Sequence, residues 1–324
     1  MSQGRSRTGR TLSLVIPMHD EETCLPALFE RLTAATAGLG VGVEIICVDD
    51  GSRDGTLAAL RKLAAADRRV RVVALSRNFG KEAALTAGLE AATGDLVVPL
   101  DADLQDPPEL IAEFLRLWEQ GYDVVYGVRT DRSSDSFGKR RTAATFYGMF
   151  NRLSDYPIPE NAGDFRLMDR TVVEALKALP ERNRFMKGLF AWVGFRQVGV
   201  PYVRPPRVAG ASSWGYRKLF RFALDGLTAF TTAPLRVWTG VGVGAALAAR
   251  AGALAVVVRV LVIGRDVPGY ASLMVVILFA FALQMIALGV LGEYVGRMYQ
   301  EVKQRPPYLV RERIGFGDGE GNAA

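Results

Sequence analysis

A single histidine, His19, and two cysteines, Cys24 and Cys47, stand in 324 residues. One histidine leaves no material for a multi-histidine zinc site and gives a Ser-His-Asp triad only one candidate base. Two cysteines build no disulfide framework, which fits a reducing compartment, and Cys47 lies in an apolar run where it reads as a small core residue. No Gly-x-Gly-x-x-Gly follows the first strand-like run, which disfavours a dinucleotide oxidoreductase. The opening "MSQGRSRTGR" is polar and basic, and the "TLSLVIP" after it is too short to cross a bilayer and has no small-residue cleavage site nearby. Residues 1–10 are therefore expected to be a disordered tail leading into a strand, not a signal peptide.

What is present is apolar surface enough for a core: 49% of residues are hydrophobic and 23% charged, which excludes wholesale disorder. The net charge of +6 could serve nucleic acid, a membrane surface or anionic substrates. Its basic residues gather around the apolar C-terminal part, so nucleic-acid binding is not expected.

The first half alternates. Strand-like runs at 12–16, 43–48, 70–75, 95–100 and 123–126 are separated by stretches of helical spacing such as "TLAALRKLAAAD" and "KEAALTAGLEAAT". This pattern predicts an α/β domain with a mostly parallel sheet covered on both faces, which binds ligands beyond the carboxyl ends of its strands. The polar clusters "PMHDEE", "DDGSRDG", "SRNFGK" and "DADLQDPP" fall there. Further on, "FGKRRTAATFYGMFNRL" reads as a basic helix, "NAGDFRLMDR" as a turn and short strand, "ERNRFMKGLFAWVGF" as a helix, and "RQVGVPYVRPPR" as a proline-broken edge strand. The domain is expected to span 11–210.

The composition then changes. "WGYRKLFRFALDGLTAF" mixes aromatic and basic residues at helical spacing, as juxtamembrane amphipathic helices over 211–235 would. Only Arg250 and Arg259 interrupt the apolar run from Val237 to Ile263, and Tyr270–Leu291 carries no charge. Two membrane helices, 236–264 and 269–294, joined by "GRDVPG", follow from length and hydropathy. Basic residues before the hairpin (Arg217, Lys218, Arg221, Arg236) and after it (Arg297, Lys303, Arg305, Arg311, Arg313) predict that the α/β domain, both termini and the 295–324 tail are cytoplasmic. Arg250 lies near mid-span, where an unpaired charge is costly. Gly240, Gly242 and Gly244 would let helices pack closely, as in a homo-oligomer.

In "DLVVPLDADLQDPPEL" an apolar strand ends in Asp101, Asp103, Asp106 and Glu109. Crowded carboxylates repel, so a positive group is expected among them. A hard divalent ion, Mg2+ or Mn2+, takes oxygen ligands and shares them with substrate phosphates, and would neutralise a departing diphosphate. As bare loop residues these acids would do nothing of the kind, and Asp106 before Pro107 and Pro108 reads as a helix N-cap.

Together "LVIPMHDEE", "ICVDDGSRDGT", "LSRNFGKEAALTAGLEAATGDLVVPLDADLQDPPEL", "VYGVR" and "NAGDFRLMDR" resemble the family-2 glycosyltransferases of the GT-A fold, in the dolichol-phosphate mannosyltransferase and GtrB-like subgroup. The resemblance covers about 11–235. It implies a Rossmann-like GT-A catalytic domain followed by interfacial helices and a two-helix transmembrane hairpin. It also implies that Pro17, His19, Glu21, Asp50, Asp101 and Ala102 bind the donor, with His19-Asp20 standing where the family usually has Tyr-Asn. Asp101, Asp103 and Gln105 would hold the metal. Arg129, Arg141, Thr145 and Arg207 would contact the acceptor phosphate, with Arg140 beside them; Ser213 replaces a lysine usual in relatives, a loss that Arg217 or Lys218 could offset. Asp103 and Asp164 are the implied catalytic carboxylates. Asp164 has two open roles: removing a proton, or orienting the acceptor or a loop arginine such as Arg166, because a phosphate monoester is largely ionised at neutral pH.

The resulting expectation is a membrane enzyme that moves one sugar, with inversion, from a nucleotide sugar (UDP-linked by preference) to a polyprenyl phosphate. Two alternatives stand beside it. A processive polysaccharide synthase would carry Gln-x-x-Arg-Trp and more membrane helices, and neither is present. A non-catalytic nucleotide-binding scaffold would not need the intact Asp101/Asp103 pair.

Overall fold

The computed structural model describes residues 5–130, 159, 162–182, 184–203, 205, 233–263 and 269–317. The described strands are β1 (Thr11–Met18), β2 (Gly42–Asp49), β3 (Val70–Leu75), β4 (Leu96–Pro99), β5 (Val124–Arg129), β6 (Ala162–Asp169), β7 (Gln197–Tyr202) and β8 (Val310–Ile314). The helices are α1 (Leu25–Thr36), α2 (Thr56–Ala66), α3 (Lys81–Ala91), α4 (Ile111–Glu119), α5 (Arg170–Lys177), α6 (Met186–Trp192), α7 (Ala233–Ile263) and α8 (Tyr270–Val302).

One sheet, in the order β7-β5-β6-β4-β1-β2-β3-β8, holds all of these strands. β1, β2, β3 and β4 run parallel, as the alternation predicts, and β7 is a parallel edge strand on β5. β6 runs against both of its neighbours, β4 and β5. That reversal matters for the site. Leu96 pairs with Asp169 and Val97 with Met168, and the same register carried to the strand ends sets Asp101 opposite Asp164.

The sheet separates two cores. On one face Leu12, Leu14, Leu28, Leu60, Phe114, Phe165 and Leu167 pack beneath α1, α2 and α4. On the other Val15, Val48, Leu85, Met168, Val173 and Phe190 pack beneath α3, α5 and α6. Strand alternation explains how β6 serves both: Phe165 and Leu167 face the first core, while Arg166 lies 3.7 Å from the centre of the Phe190 ring in the second. α3 lies very close to the sheet because a side-chain carbon at Gly88 would meet Val15 at 2.3 Å. The Cys47 thiol is fully buried and pushed up to about 12 by burial, in keeping with a core residue.

Both ends of the chain differ from expectation. The tail expected over 1–10 is held to the domain from Arg5 onward. The Arg5 guanidinium donates to Asp123 at 2.6 Å and to the Tyr122 carbonyl at 3.0 Å, and Arg7 pairs with both oxygens of Glu119 at 2.7 Å. The 295–324 tail is not a free tail either. α8 continues to Val302, where the Glu301 carboxylate accepts the Arg182 backbone N–H at 3.2 Å. The chain then adds β8 antiparallel to β3, closing an edge that would otherwise expose unpaired backbone groups. Arg61 pairs with Glu312, and the Tyr308 hydroxyl donates to Glu90.

α7 and α8 are in contact, and each is long and apolar enough to cross a membrane. Mean hydropathy reaches 1.4 over Val237–Val256 and 2.7 over Ser272–Val302, and neither window is buried against the rest of the protein. Leu278 and Phe279 are 61% and 69% exposed, so these are not the core helices of a soluble domain. The basic helix expected from "FGKRRTAATFYGMFNRL" and the juxtamembrane helices expected over 211–235 lie outside the described residues.

Candidate active site

The carboxyl ends of β4, β2, β1 and β5 and the amino end of β6 converge, and most of the predicted site residues come with them. Asp101 follows β4, and Asp164 sits on β6. Between them lies a group the sequence reading gave no role. The Lys81 ammonium stands 2.7 Å from Asp101 Oδ1 and 2.7 Å from Asp164 Oδ2. The positive group demanded by the crowded acids is thus, in the protein itself, a lysine. Loss of water around the ammonium works against its charge, although the side chain as a whole is well exposed. The two carboxylates outweigh that loss and hold the ammonium well above the ordinary lysine range.

Local structure puts Lys81 there. Asp50 accepts the backbone N–H of Phe79 at 2.7 Å on one oxygen and of Gly80 at 2.9 Å on the other. Gly80 has φ of +100°, a conformation that side-chain-bearing residues avoid, and Lys81 is the first residue of α3. Asp50 is buried, and burial raises its carboxyl although those N–H groups and His19 oppose the rise. As the protein stands, both Asp50 oxygens are engaged with its own backbone. His19 Nδ1 lies 3.0 Å from the Asp50 carbonyl, and Nε2 is 3.4 Å from Asp20. Pro17 is on β1 beside Val48, and the Glu21 N–H donates to Thr56 at 2.9 Å, so both stay at the same edge of the sheet.

Asp164 differs sharply from an ordinary surface carboxylate. Burial pushes it up, yet Lys81, Lys187 and Arg166 more than reverse this and leave it well below the usual range. Its Oδ1 is buried with no hydrogen-bond partner among the described residues. Such a group is an anion at neutral pH and a poor proton acceptor. Arg166 is a strand residue, not a loop residue, and the Asp164 charge acts on it. It lies on β6, donates to the Gly163 carbonyl at 2.8 Å, and burial pulls its guanidinium down to about 10.

Two further carboxyls flank this centre and were missed as functional candidates. Glu82, next to Lys81, is raised to about 8 by burial and by the Asp164 charge. Asp106 does not cap a helix: Pro107 and Leu110 occupy the cap positions. It is buried instead, accepts the Tyr202 hydroxyl at 2.8 Å, and is raised to about 6 by burial and Asp101. Tyr202 in turn accepts from Arg129 Nε at 3.2 Å, and Arg129 is 3.8 Å from Asp106. Arg129 is thereby tied back toward Gly163, where an added side-chain carbon would sit 3.0 Å from its guanidinium. Arg141, Thr145 and Arg207, with Arg140, Ser213, Arg217 and Lys218, lie outside the described residues. The signal for Lys81 was in "SRNFGK": a lysine opening a helix at the carboxyl end of a strand.

The donor set fits a hard divalent ion. Asp103 is largely buried and its Oδ1 accepts the Gln105 backbone N–H at 3.1 Å. Leu104 between them has φ of +58°, an uncommon conformation for leucine and the sort of local strain found at binding loops. Among the described residues no three His, Cys, Asp or Glu side chains form a complete cage. Two aspartates at a strand end suit an ion that draws its remaining ligands from substrate phosphates and water. Ala102, between the two aspartates, is buried.

A mostly parallel sheet with an acidic cluster at its carboxyl edge is the architecture of an α/β enzyme of the GT-A fold. The chain belongs to glycosyl transferase family 2, whose profile matches residues 13–177, and it is a glycosyltransferase. It is similar to an uncharacterized glycosyltransferase of Synechocystis sp., 53% identical over 305 residues covering 94% of this chain and 96% of the relative. The SfII prophage-derived bactoprenol glucosyl transferase of Shigella flexneri is 46% identical over 301 residues, 93% of this chain and 97% of the relative. A prophage bactoprenol glucosyl transferase homolog of Escherichia coli is 45% identical over 300 residues, 93% and 98%.

Proposed function

We propose that this glycosyltransferase moves one glucose from a UDP-linked donor to a polyprenyl phosphate, with inversion, at the cytoplasmic face of the cell membrane. The observation that carries the reading is the meeting of Asp101, two residues before Asp103, with Asp164 across Lys81, in a domain whose strand β8 follows an apolar helix after a short connector. The names of the Shigella relatives support the glucosyl group and the lipid carrier.

Asp101, Asp103 and Gln105 hold Mg2+ or Mn2+, which when bound neutralises charge on the departing nucleoside diphosphate. Pro17, His19, Glu21 and Ala102 line the donor side, and Asp50 shapes it through the Phe79–Gly80 turn. Arg129 meets the acceptor phosphate, together with Arg141, Thr145 and Arg207. An acceptor phosphate oxygen attacks the anomeric carbon and keeps the new bond, while the bond from that carbon to the donor diphosphate breaks and the diphosphate oxygen leaves with the electron pair. The acceptor is already ionised, its second pKa being about 6. Asp164, an anion of low basicity, therefore orients Lys81 and the acceptor and takes no proton.

Strand pairing supports a hairpin topology. β8 lies in the same sheet as β3, so the chain on both sides of α7 and α8 ends on one side of the bilayer. Two crossings satisfy this, and the basic residues Arg297, Lys303, Arg305, Arg311 and Arg313 favour the cytoplasm as that side. Gly240, Gly242 and Gly244 have open space around them, which leaves α7 able to pack on a second copy.

The test is incubation of the purified full chain with radiolabelled UDP-glucose, polyprenyl phosphate and Mg2+ or Mn2+. Label should enter the organic phase, vanish with a chelator and return with the metal. Absence of organic-phase label with every nucleotide sugar tried would refute the reading.

A further inference from the structure

Asp101 and Asp164 share one cation, and it belongs to the protein. Lys81 spends two of its three N–H donors on them, at 2.7 Å each. A divalent ion binding Asp101 would sit about 2 Å from the carboxylate oxygens. Two positive charges so close on one side chain repel, so the ammonium and the ion exclude one another there. The two ends of Lys81 differ in freedom. Its backbone is pinned by Asp50 through the turn at Phe79 and Gly80. Its side chain is 45% exposed, so the four-carbon stem can swing without disturbing the core. Asp164 stays behind as an anchor, with Lys187 and Arg166 around it and a buried oxygen that has no partner among the described residues.

We propose that the Lys81 ammonium is the resting counter-ion of the donor site, which a divalent cation must displace from Asp101. The incoming nucleoside diphosphate then supplies Lys81 with a replacement anionic partner. Metal and diphosphate thereby bind with positive coupling, and by linkage each tightens the other equally. This rests on the metal-dependent reading above and adds to it a residue that sets the order of loading. Lys81 acts here as a positioning residue.

A hydrogen bond between charged groups is worth roughly tenfold in a binding constant. The experiment titrates Mn2+ into the full chain in detergent micelles, following the free-ion electron paramagnetic resonance signal, with and without saturating UDP. Lys81→Met should bind Mn2+ alone about tenfold more tightly than the unsubstituted protein. UDP should tighten Mn2+ binding far less in Lys81→Met than in the unsubstituted protein, and Lys81→Arg should behave as the latter. Equal or weaker Mn2+ binding by Lys81→Met overturns the displacement while leaving a metal site intact. No Mn2+ binding by the unsubstituted protein even with UDP overturns the metal-dependent reading, and the displacement with it. Acetylation of Lys81 in the unsubstituted chain, read by mass spectrometry, gives a measurement independent of how variants fold. Mn2+ alone should raise Lys81 labelling severalfold, and UDP with Mn2+ should lower it again. Labelling indifferent to Mn2+ rejects the proposal.

Discussion

Replacing Glu82 with glutamine should make the protein less sensitive to alkaline pH. Glu82 lies in the first turn of α3 beside the Lys81–Asp164 pair, and its carboxyl is raised from 4.5 to about 8 by burial and then by the Asp164 charge. The folded protein therefore holds a proton that the unfolded chain releases near pH 4.5. Between those two values the native state binds more protons, so stability falls as pH rises through the window and the full cost is reached above about 8. A displacement of that size corresponds to at most about 5 kcal/mol. Partial solvent exposure and adjustment of Lys81 and Asp164 bring the expected figure to about 2 kcal/mol. Glutamine keeps an acceptor for the Met186 N–H, which Glu82 accepts at 3.3 Å, and never ionises. Glu82→Gln should match the unsubstituted protein near pH 5 and exceed its melting temperature by about 4–8 °C at pH 9. Tryptophan fluorescence melts of the full chain in detergent, from pH 5 to 9, measure this. Two parallel curves with a constant offset, or a less stable variant at pH 9, would refute the reasoning.

Three other outcomes follow from the same geometry. Asp103→Asn should abolish transfer, whereas Asp164→Asn should retain about 1–10% of it, the loss of one charged hydrogen bond to Lys81; equal losses would make Asp164 a proton acceptor after all. Tyr202→Phe removes the hydroxyl that joins Arg129 to Asp106, and should raise the KM for polyprenyl phosphate about tenfold while the donor KM holds; steady-state kinetics with each substrate varied in turn will show which moves. Truncation after Lys303 removes β8 and bares the β3 edge, so the melting temperature should drop by several degrees and light scattering should report aggregation, whereas an unchanged melt would mean that β8 adds nothing to the sheet.

Much of the fold was legible because it is written in short-range patterns. Alternating apolar runs marked β1 to β5, and two long apolar stretches, the second of them uncharged from Tyr270 to Leu291, marked α7 and α8. "QVGVPY" was recognised as an edge strand because proline cannot serve a central one. The acidic cluster after β4 was legible for another reason: carboxylates so close in sequence cannot avoid one another in space. What escaped were partners distant in sequence. Glu301 and Tyr308 looked like tail residues until their contacts with Arg182 and Glu90 were visible. Asp106 looked like a cap because the two prolines after it favour one, yet burial beside Tyr202 claimed it.

The sequence alone determined an α/β domain with an Asp-x-Asp at a strand end and a pair of apolar helices behind it, since periodicity and local charge need no third dimension; that it is a glycosyltransferase came from the resemblance of its motifs to family 2. Only the tertiary structure decided which cation answers those acids. β6 runs antiparallel beside β4, which brings Asp164 to Asp101, and the Asp50-held turn delivers Lys81 between them. Strand direction and register are set by packing across the whole sheet, and no stretch of neighbouring residues contains them.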